Sequence, residues 1–140
     1  VRLYTSENPI KPAAVVSFSE SGIDALISEV VQQKFNTVAF IDGGDYQSML
    51  ADQEAGRAFA STLVNIAILD RKGQAFVNHD PDAILKFLKE QVGNYGPAQV
   101  EFGKDGKTRF RYEGSLDGVP FLTVNSTPEQ QRKTFDDAFK

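Results

Sequence analysis

The sequence predicts one mixed domain, between α/β and α+β in class, and three observations support this. At 140 residues, with 41% of them hydrophobic, the chain is long enough to bury a core without a disulfide or a metal. The unbroken apolar run Val38–Ile41 predicts a strand buried on both faces. After the break at 93–97 the apolar spacing changes from helical to alternating, which predicts an antiparallel sheet at the C-terminal end.

Residues 13–93 form the first part of the predicted domain, with the element order β-α-β-α-β-β-α. Its last helix has the clearest signals, because Asp80 is a typical N-cap, Pro81 follows it and Gly93 is a typical stop. The mixed sheet would be built from the strands of this part and the next. The predicted elements are a strand at Ala13–Phe18, a helix from Ser21 to Val31, the buried strand, a helix at Asp45–Phe59, strands at Thr62–Asp70 and Gln74–Asn78, and a helix from Asp80 to Gly93.

The order of these seven elements resembles that of the thioredoxin core, in topology only. In that fold a Cys-x-x-Cys motif follows the central strand, whereas this chain has Asp42-Gly43-Gly44-Asp45 there and no cysteine at all. The resemblance therefore implies a shape and excludes thiol redox chemistry.

Residues 97–140 predict an antiparallel meander of three strands and a C-terminal helix. Apolar side chains alternate with Gln99, Glu101, Arg109 and Arg111 along the first two strands, so we expect these four polar side chains on a face exposed to water. The third strand is expected at Val119–Val124. Turn residues separate the strands, as in a series of hairpins.

Residues 1–12 predict an extended arm beside the globular domain at 13–140. Pro9 and Pro12 keep this segment extended and out of any helix. The chain starts at Val1 and not at methionine, which would fit the processing of an exported chain and leaves the compartment unknown.

Composition narrows the classes of function. A net charge of −4 and a pI near 5.0 disfavour binding to nucleic acid, because a phosphate backbone attracts basic surfaces. Every apolar run is far shorter than a membrane span requires, so we expect a soluble chain without membrane insertion. We expect neither a cofactor nor a resident metal.

Asp42, Gly43, Gly44 and Asp45 are the first candidate ligand site. Two carboxylates after a buried strand could hold a divalent cation, and glycine N–H groups at a helix start could hold an anion. The two roles conflict, since carboxylates repel an anion. The structural alternative is that the glycines form the turn and Asp45 caps the next helix.

His79, the single histidine, is the second candidate. Beside Asp80 it could act as a general base, and with Asp42 and Asp45 the two residues could form a metal-dependent hydrolase site. No nucleophile motif and no second histidine accompany it. Since Asp80 is needed as an N-cap, the simpler interpretation is a partly exposed histidine before a helix.

Arg109, Arg111, Phe135 and Phe139 are the candidate partner-binding residues. The arginines lie among aromatic residues, a mixture typical of single-stranded nucleic-acid sites, but alternation places rings and charges on opposite faces. A solvated strand face explains them more simply. The last helix has few apolar residues besides Phe135 and Phe139, which suggests that it lies on a partner.

Taken together, these patterns favour a non-catalytic protein-interaction module, such as an adaptor, an inhibitor or immunity-type protein, or a subunit of a complex. Its charges are concentrated at turns, caps and outer faces, and we expect binding to another protein or self-association. The first alternative is a small-ligand sensor or binding domain, which would use a pocket beside Asp42–Asp45 or the hairpin Asp70–Val77. The pattern of this hairpin resembles one that also appears in Cache and PAS domains. The second alternative is the metal-dependent hydrolase.

Overall fold

A mixed β-sheet of seven strands organises the described part of the chain. The computed structural model describes residues 1–19, 25, 35–64, 67–69, 75–105, 108–114 and 118–139. The strands are β1 (Arg2–Thr5), β2 (Ala14–Val15), β3 (Thr37–Ile41), β4 (Ile68–Leu69), β5 (Ala75–Phe76), β6 (Ala98–Phe102) and β7 (Thr108–Tyr112). The helices are α1 (Gly43–Ala51), α2 (Gln53–Ser61), α3 (Pro81–Tyr95) and α4 (Pro128–Ala138).

These elements form one small domain of mixed α/β class, which confirms the predicted class. The strand order is β2-β1-β3-β6-β7-β4-β5, and the neighbouring pairs are antiparallel except for the parallel pair of β4 and β7. The strand predicted at Val38–Ile41 is β3, and all of its residues are buried. The helix predicted from Ser21 to Val31, apart from Ala25, and the turn at Asp70–Gly73 lie outside the described residues.

The structure corrects the predicted N-terminal arm. Arg2–Thr5 is an inner strand, because β1 pairs with β2 on one side and with β3 on the other. Leu3 is completely buried. Residues 6–13 turn the chain back from β1 to β2, and this loop is where both prolines lie. The prolines therefore signal the loop, and the sequence has no local signal for the partners that β1 finds.

The helix predicted at Asp45–Phe59 is divided into α1 and α2 at Asp52. The backbone N–H of Asp52 donates to the carbonyl of Ser48 (2.8 Å) and so ends α1. The side chain of Asp52 accepts from the N–H of Ala55 (3.1 Å) and so begins α2. One aspartate therefore serves as the cap of two consecutive helices.

Helices α1, α2 and α3 cover one face of the sheet and form the main core with it. Two glycines allow the helices to approach: a Cβ atom on Gly56 would lie 2.9 Å from Leu85 Cδ1, and one on Gly93 would lie 2.9 Å from Tyr46 Oη. The fully buried members of this core include Leu3, Phe18, Ala39, Ile41, Met49, Phe59, Ala60, Leu63, Leu88, Ala98 and Val100. Most of the apolar positions predicted to face a core do so.

The second face of the sheet is covered by α4 and by the segment 118–123. Here Tyr4, Val38 and Phe40 pack with Leu122 and Phe135 into a smaller apolar cluster. The third meander strand predicted at Val119–Val124 is not paired into the sheet. Both edges of β7 are already taken, by β6 and by β4, so the chain crosses the face of the sheet instead.

This cover buries the strand face that was predicted to be exposed to water. Glu101 and Arg111 are each only 1% exposed, and Gln99 is fully buried. Glu101 Oε1 accepts from Gln99 Nε2 (2.9 Å) and from Arg111 Nη1 (3.3 Å). Burial raises the pKa of Glu101, and the hydrogen bonds and charge of its two partners oppose this only in part.

The buried cluster of Gln99, Glu101 and Arg111 also holds the crossing segment in place. Arg111 Nη1 donates to the carbonyl of Pro120 (3.1 Å), and Arg111 Nη2 donates to the carbonyl of Val119. The N–H of Leu122 donates to Gln99 Oε1 (3.0 Å). Side chains from two strands thus satisfy backbone groups that have no strand partner.

Because Glu101 and Arg111 are buried together, we expect substitutions of the two to lower stability strongly and non-additively. Glu101→Leu or Arg111→Met alone should each lower the free energy of unfolding by about 3–5 kcal/mol, because each leaves an uncompensated buried charge. The double variant should lose clearly less than the sum of the two. Urea unfolding measures all three, with Lys86→Met as a control at an exposed position of α3. Additive losses would show that the two side chains are not coupled.

Candidate functional site

The predicted ligand residues Asp42–Asp45 lie between the end of β3 and the start of α1. Asp42 Oδ1 accepts from the N–H of Asp45 (3.0 Å), and Asp45 Oδ2 accepts from the N–H of Asp42 (3.0 Å). This is a complete capping box, with Gly43 and Gly44 in the exposed first turn. The cap is formed jointly by both aspartates and not by Asp45 alone.

Cationic groups from the first two residues balance these carboxylates. The amino group of Val1 donates to Asp45 Oδ1 (2.5 Å), and Arg2 Nη2 lies 3.7 Å from Asp42 Oδ2. Burial raises the pKa of Asp45, although the hydrogen bonds from Val1 and from the backbone of Asp42 pull it down. The carboxylates are therefore engaged in helix capping and ion pairing.

A shallow groove opens beside this pair, at the edge of the sheet that β2 forms. We call it the edge groove; its volume is about 480 Å³, within the range of ligand sites. It is lined by both apolar and charged residues. The lining residues are Val1, Arg2, Val15, Val16, Ser17, Asp42, Asp45 and Val124.

Among the residues that the structure describes, no strand pairs with the outer side of β2. The N–H of Val16 donates to the carbonyl of Val1 (2.9 Å), and the amino group of Val1 donates to the carbonyl of Val16 (2.8 Å). Because successive strand residues direct their backbone groups to opposite edges, the N–H and carbonyl of Val15 point away from β1. The side chain of Val15 is 66% exposed, and Val124 beside it is 59% exposed.

His79 and Asp80 lie at the other end of the helical layer from Asp42 and Asp45. Asp80 caps the start of α3, whereas the last turns of α3 contact Tyr46 through Gly93. The 15 residues of α3 span about 22 Å. The structure therefore does not bring the four hydrolase candidates together. Among the described residues, no three His, Cys, Asp or Glu side chains are placed to hold a metal ion.

The predicted partner-binding residues are largely inside the molecule. Arg111 is buried in the polar cluster, and Phe135, 5% exposed, packs in the second apolar cluster. Arg109 and Phe139 are half-buried. Sequence reasoning missed Val15 as a surface residue. The pattern of Ala13–Phe18 predicts a strand but not its place in the sheet, and only the strand order shows that it lies at an edge.

The capping box predicts a modest structural effect and no response to metals. Asp42→Ala should lower the free energy of unfolding by about 1 kcal/mol, because the N–H of Asp45 loses its acceptor. Mg²⁺, Mn²⁺ and Ca²⁺ should leave the melting temperature unchanged, since a ligand that binds only the folded state would raise it. Thermal unfolding measures both. A rise that disappears in Asp42→Ala would instead identify a cation site.

Within the described residues, no helix is both long and apolar enough to cross a membrane. Comparison with protein-family models, with curated proteins and with solved structures found no match. Inferences about function therefore depend on the geometry of the molecule itself. The edge groove brings together exposed apolar side chains, charges and backbone groups that have no partner among the described residues.

Proposed function

We propose that this domain is a non-catalytic protein-interaction module that binds an extended segment of a partner chain along β2. The observation that carries the proposal is the position of Val15. Its backbone N–H and carbonyl point out of the sheet at an end strand, and its side chain is the most exposed large apolar side chain among the described residues. A partner strand would pair with the backbone and cover the side chain.

The composition of this edge supports strand addition. Open sheet edges are usually protected by charged residues, proline or a covering element. Residues 13–19 of this chain, with the sequence AAVVSFS, contain no charge and no proline. A partner segment would therefore meet no like charge in the paired strand, and an apolar or neutral segment fits it best.

Side-chain contacts in the edge groove would supply specificity. Val15 and Val124 offer exposed apolar surface in the groove, and the ion pair of Arg2 and Asp42 also lines it. Backbone pairing gives affinity with little dependence on the partner's sequence. The groove would supply the selectivity, because every second side chain of an added strand points to the same face and would enter it. A segment with an apolar side chain flanked by a polar one matches this arrangement.

The placement of the polar candidates supports binding over catalysis. Asp42 and Asp45 are engaged in the cap of α1, and Asp80 caps α3 with its side chain accepting from the N–H of Asp82 (3.0 Å). These carboxylates have structural partners at two separate places. A binding function needs only the surface that the edge of β2 presents.

A displayed peptide library selected on the domain tests the proposal, with two matched variants. Val15→Lys should weaken the selected peptides by at least about tenfold, because a lysine opposes the covering of the edge. Val77→Lys, at a valine that is 52% exposed elsewhere, should leave their affinity unchanged. Both variants should keep the wild-type melting temperature, since both valines are exposed.

Two outcomes would contradict the proposal. Selection could yield no peptide whose affinity depends on Val15, or the two lysine variants could lose the same affinity. Either result would mean that the edge of β2 is not the binding surface.

A further inference from the structure

A second groove lies beside α4, on the face of the sheet that α4 covers. We call it the α4 groove; its volume is about 520 Å³. The loop after β1, the residue before β3 and one side of α4 form its walls. The lining residues are Ser6, Glu7, Asn8, Pro9, Asn36, Arg132, Phe135, Asp136 and Phe139.

This groove is far from the edge groove. Asn36 precedes β3 and Asp42 follows it, so β3 separates the two by about 20 Å. An inference about the α4 groove therefore does not rest on the function proposed for the edge of β2.

The floor of the α4 groove is aromatic. Phe135 on α4 and Phe139, the residue at its C-cap, are four residues apart, and their ring centroids are 6.0 Å apart. Phe135 is anchored in the second apolar cluster, whereas Phe139 only packs against it and is half-buried. The floor thus offers a fixed apolar surface with one edge open to solvent.

Charges of both signs surround this floor without being paired to each other. Arg132 and Asp136 have the i, i+4 spacing that favours an ion pair on a helix, yet no described residue pairs with either. At the same spacing on the neighbouring side of the helix, Lys133 Nζ and Asp137 Oδ2 do pair, at 3.0 Å. Glu7 brings a second carboxylate to the rim, also without an ion partner among the described residues.

Two asparagine side chains of the α4 groove already form hydrogen bonds with the backbone. Asn36 Oδ1 accepts from the N–H of Lys104 (2.9 Å), which leaves its amide NH₂ as a donor. Asn8 Oδ1 accepts from the N–H groups of Ile10 and Lys11 and so fixes the loop that carries Glu7. The groove therefore combines donors for an anion, acceptors for a cation and an apolar floor.

The geometry points to a binding site for an apolar α-amino acid or a short apolar peptide with free termini. Arg132 and the Asn36 amide would hold the carboxylate, and Asp136 and Glu7 would hold the ammonium group. The apolar side chain would lie on Phe139 and Phe135. A ligand that carries only one of the two charges would leave either the carboxylate-binding or the ammonium-binding groups without a partner.

Calorimetric titration with four probes tests the proposal on the wild-type chain. L-Phenylalanine and the dipeptide of two phenylalanines carry both charges, 2-phenylethylamine carries only the cation, and 3-phenylpropionate carries only the anion. The two zwitterions should bind, and each singly charged probe should bind at least about tenfold more weakly. The relative affinities of the amino acid and the dipeptide identify which of the two the groove takes.

Variants on α4 locate the site. Arg132→Gln should weaken the zwitterions about tenfold, and Asp136→Asn should do the same from the other end of the ligand. Lys133→Gln removes the same charge as Arg132→Gln from the adjacent residue, outside the groove, and should change nothing. All three positions are exposed or distant from the core, so folding is retained and checked by thermal unfolding.

Three results would overturn the proposal. The zwitterions could show no binding up to about 10 mM, a range in which even weak specific binding is detected. 2-Phenylethylamine could bind as well as L-phenylalanine, which would make this a site for organic cations. Arg132→Gln and Lys133→Gln could also have equal effects, which would place any binding outside the α4 groove.

Discussion

The burial of β3 on both edges and both faces determines how the other elements are arranged around it. Its residues Thr37–Ile41 are all buried, and β1 and β6 pair with it on either side. A strand with no contact to water needs a layer on each face of the sheet. The helices α1, α2 and α3 provide one layer, and α4 with the segment 118–123 provides the other.

The second layer determines how the polar residues of β6 and β7 are used. Since α4 and the crossing segment cover them, Gln99, Glu101 and Arg111 must satisfy one another and the backbone above them. In doing so they hold the segment 118–123 in place, directly before Val124, which is one of the lining residues of the edge groove. The buried cluster of Gln99, Glu101 and Arg111 thus stabilises the second layer and also helps to position Val124 in the edge groove.

Both grooves follow from the same arrangement of strands. Because β1 and β3 are antiparallel neighbours, the start of β1 lies beside the end of β3 at Asp42, and the end of β1 lies beside the start of β3 at Asn36. Loops and helix ends gather at these two positions, as they do at the ends of strands in many folds. The two proposed binding sites therefore lie at opposite ends of one strand pair.

The parts of the fold with local signals could be predicted from the sequence. Pro81 after Asp80, the apolar run of β3 and the alternation in β6 each specify an element through a few neighbouring residues. Other features depend on partners that are distant in sequence, and the alternation of apolar and polar residues cannot specify such partners. These features are the insertion of β1 into the sheet, the crossing of residues 118–123 and the burial of Arg111. The same limit applies to the two sites. The sequence around Val15 is as apolar as that of a core strand, although Val15 is exposed, and the sequence around Arg132 is that of an ordinary helix surface.

Backbone amide hydrogen exchange at Val15 and Val16, followed by NMR, tests whether the outer edge of β2 is open to a partner strand. The open edge of β2 predicts that the N–H of Val15 exchanges nearly as fast as in an unstructured chain. The N–H of Val16, bonded to the carbonyl of Val1, should be protected. Equal protection at both residues would show that another segment already covers this edge, and strand addition there would be excluded.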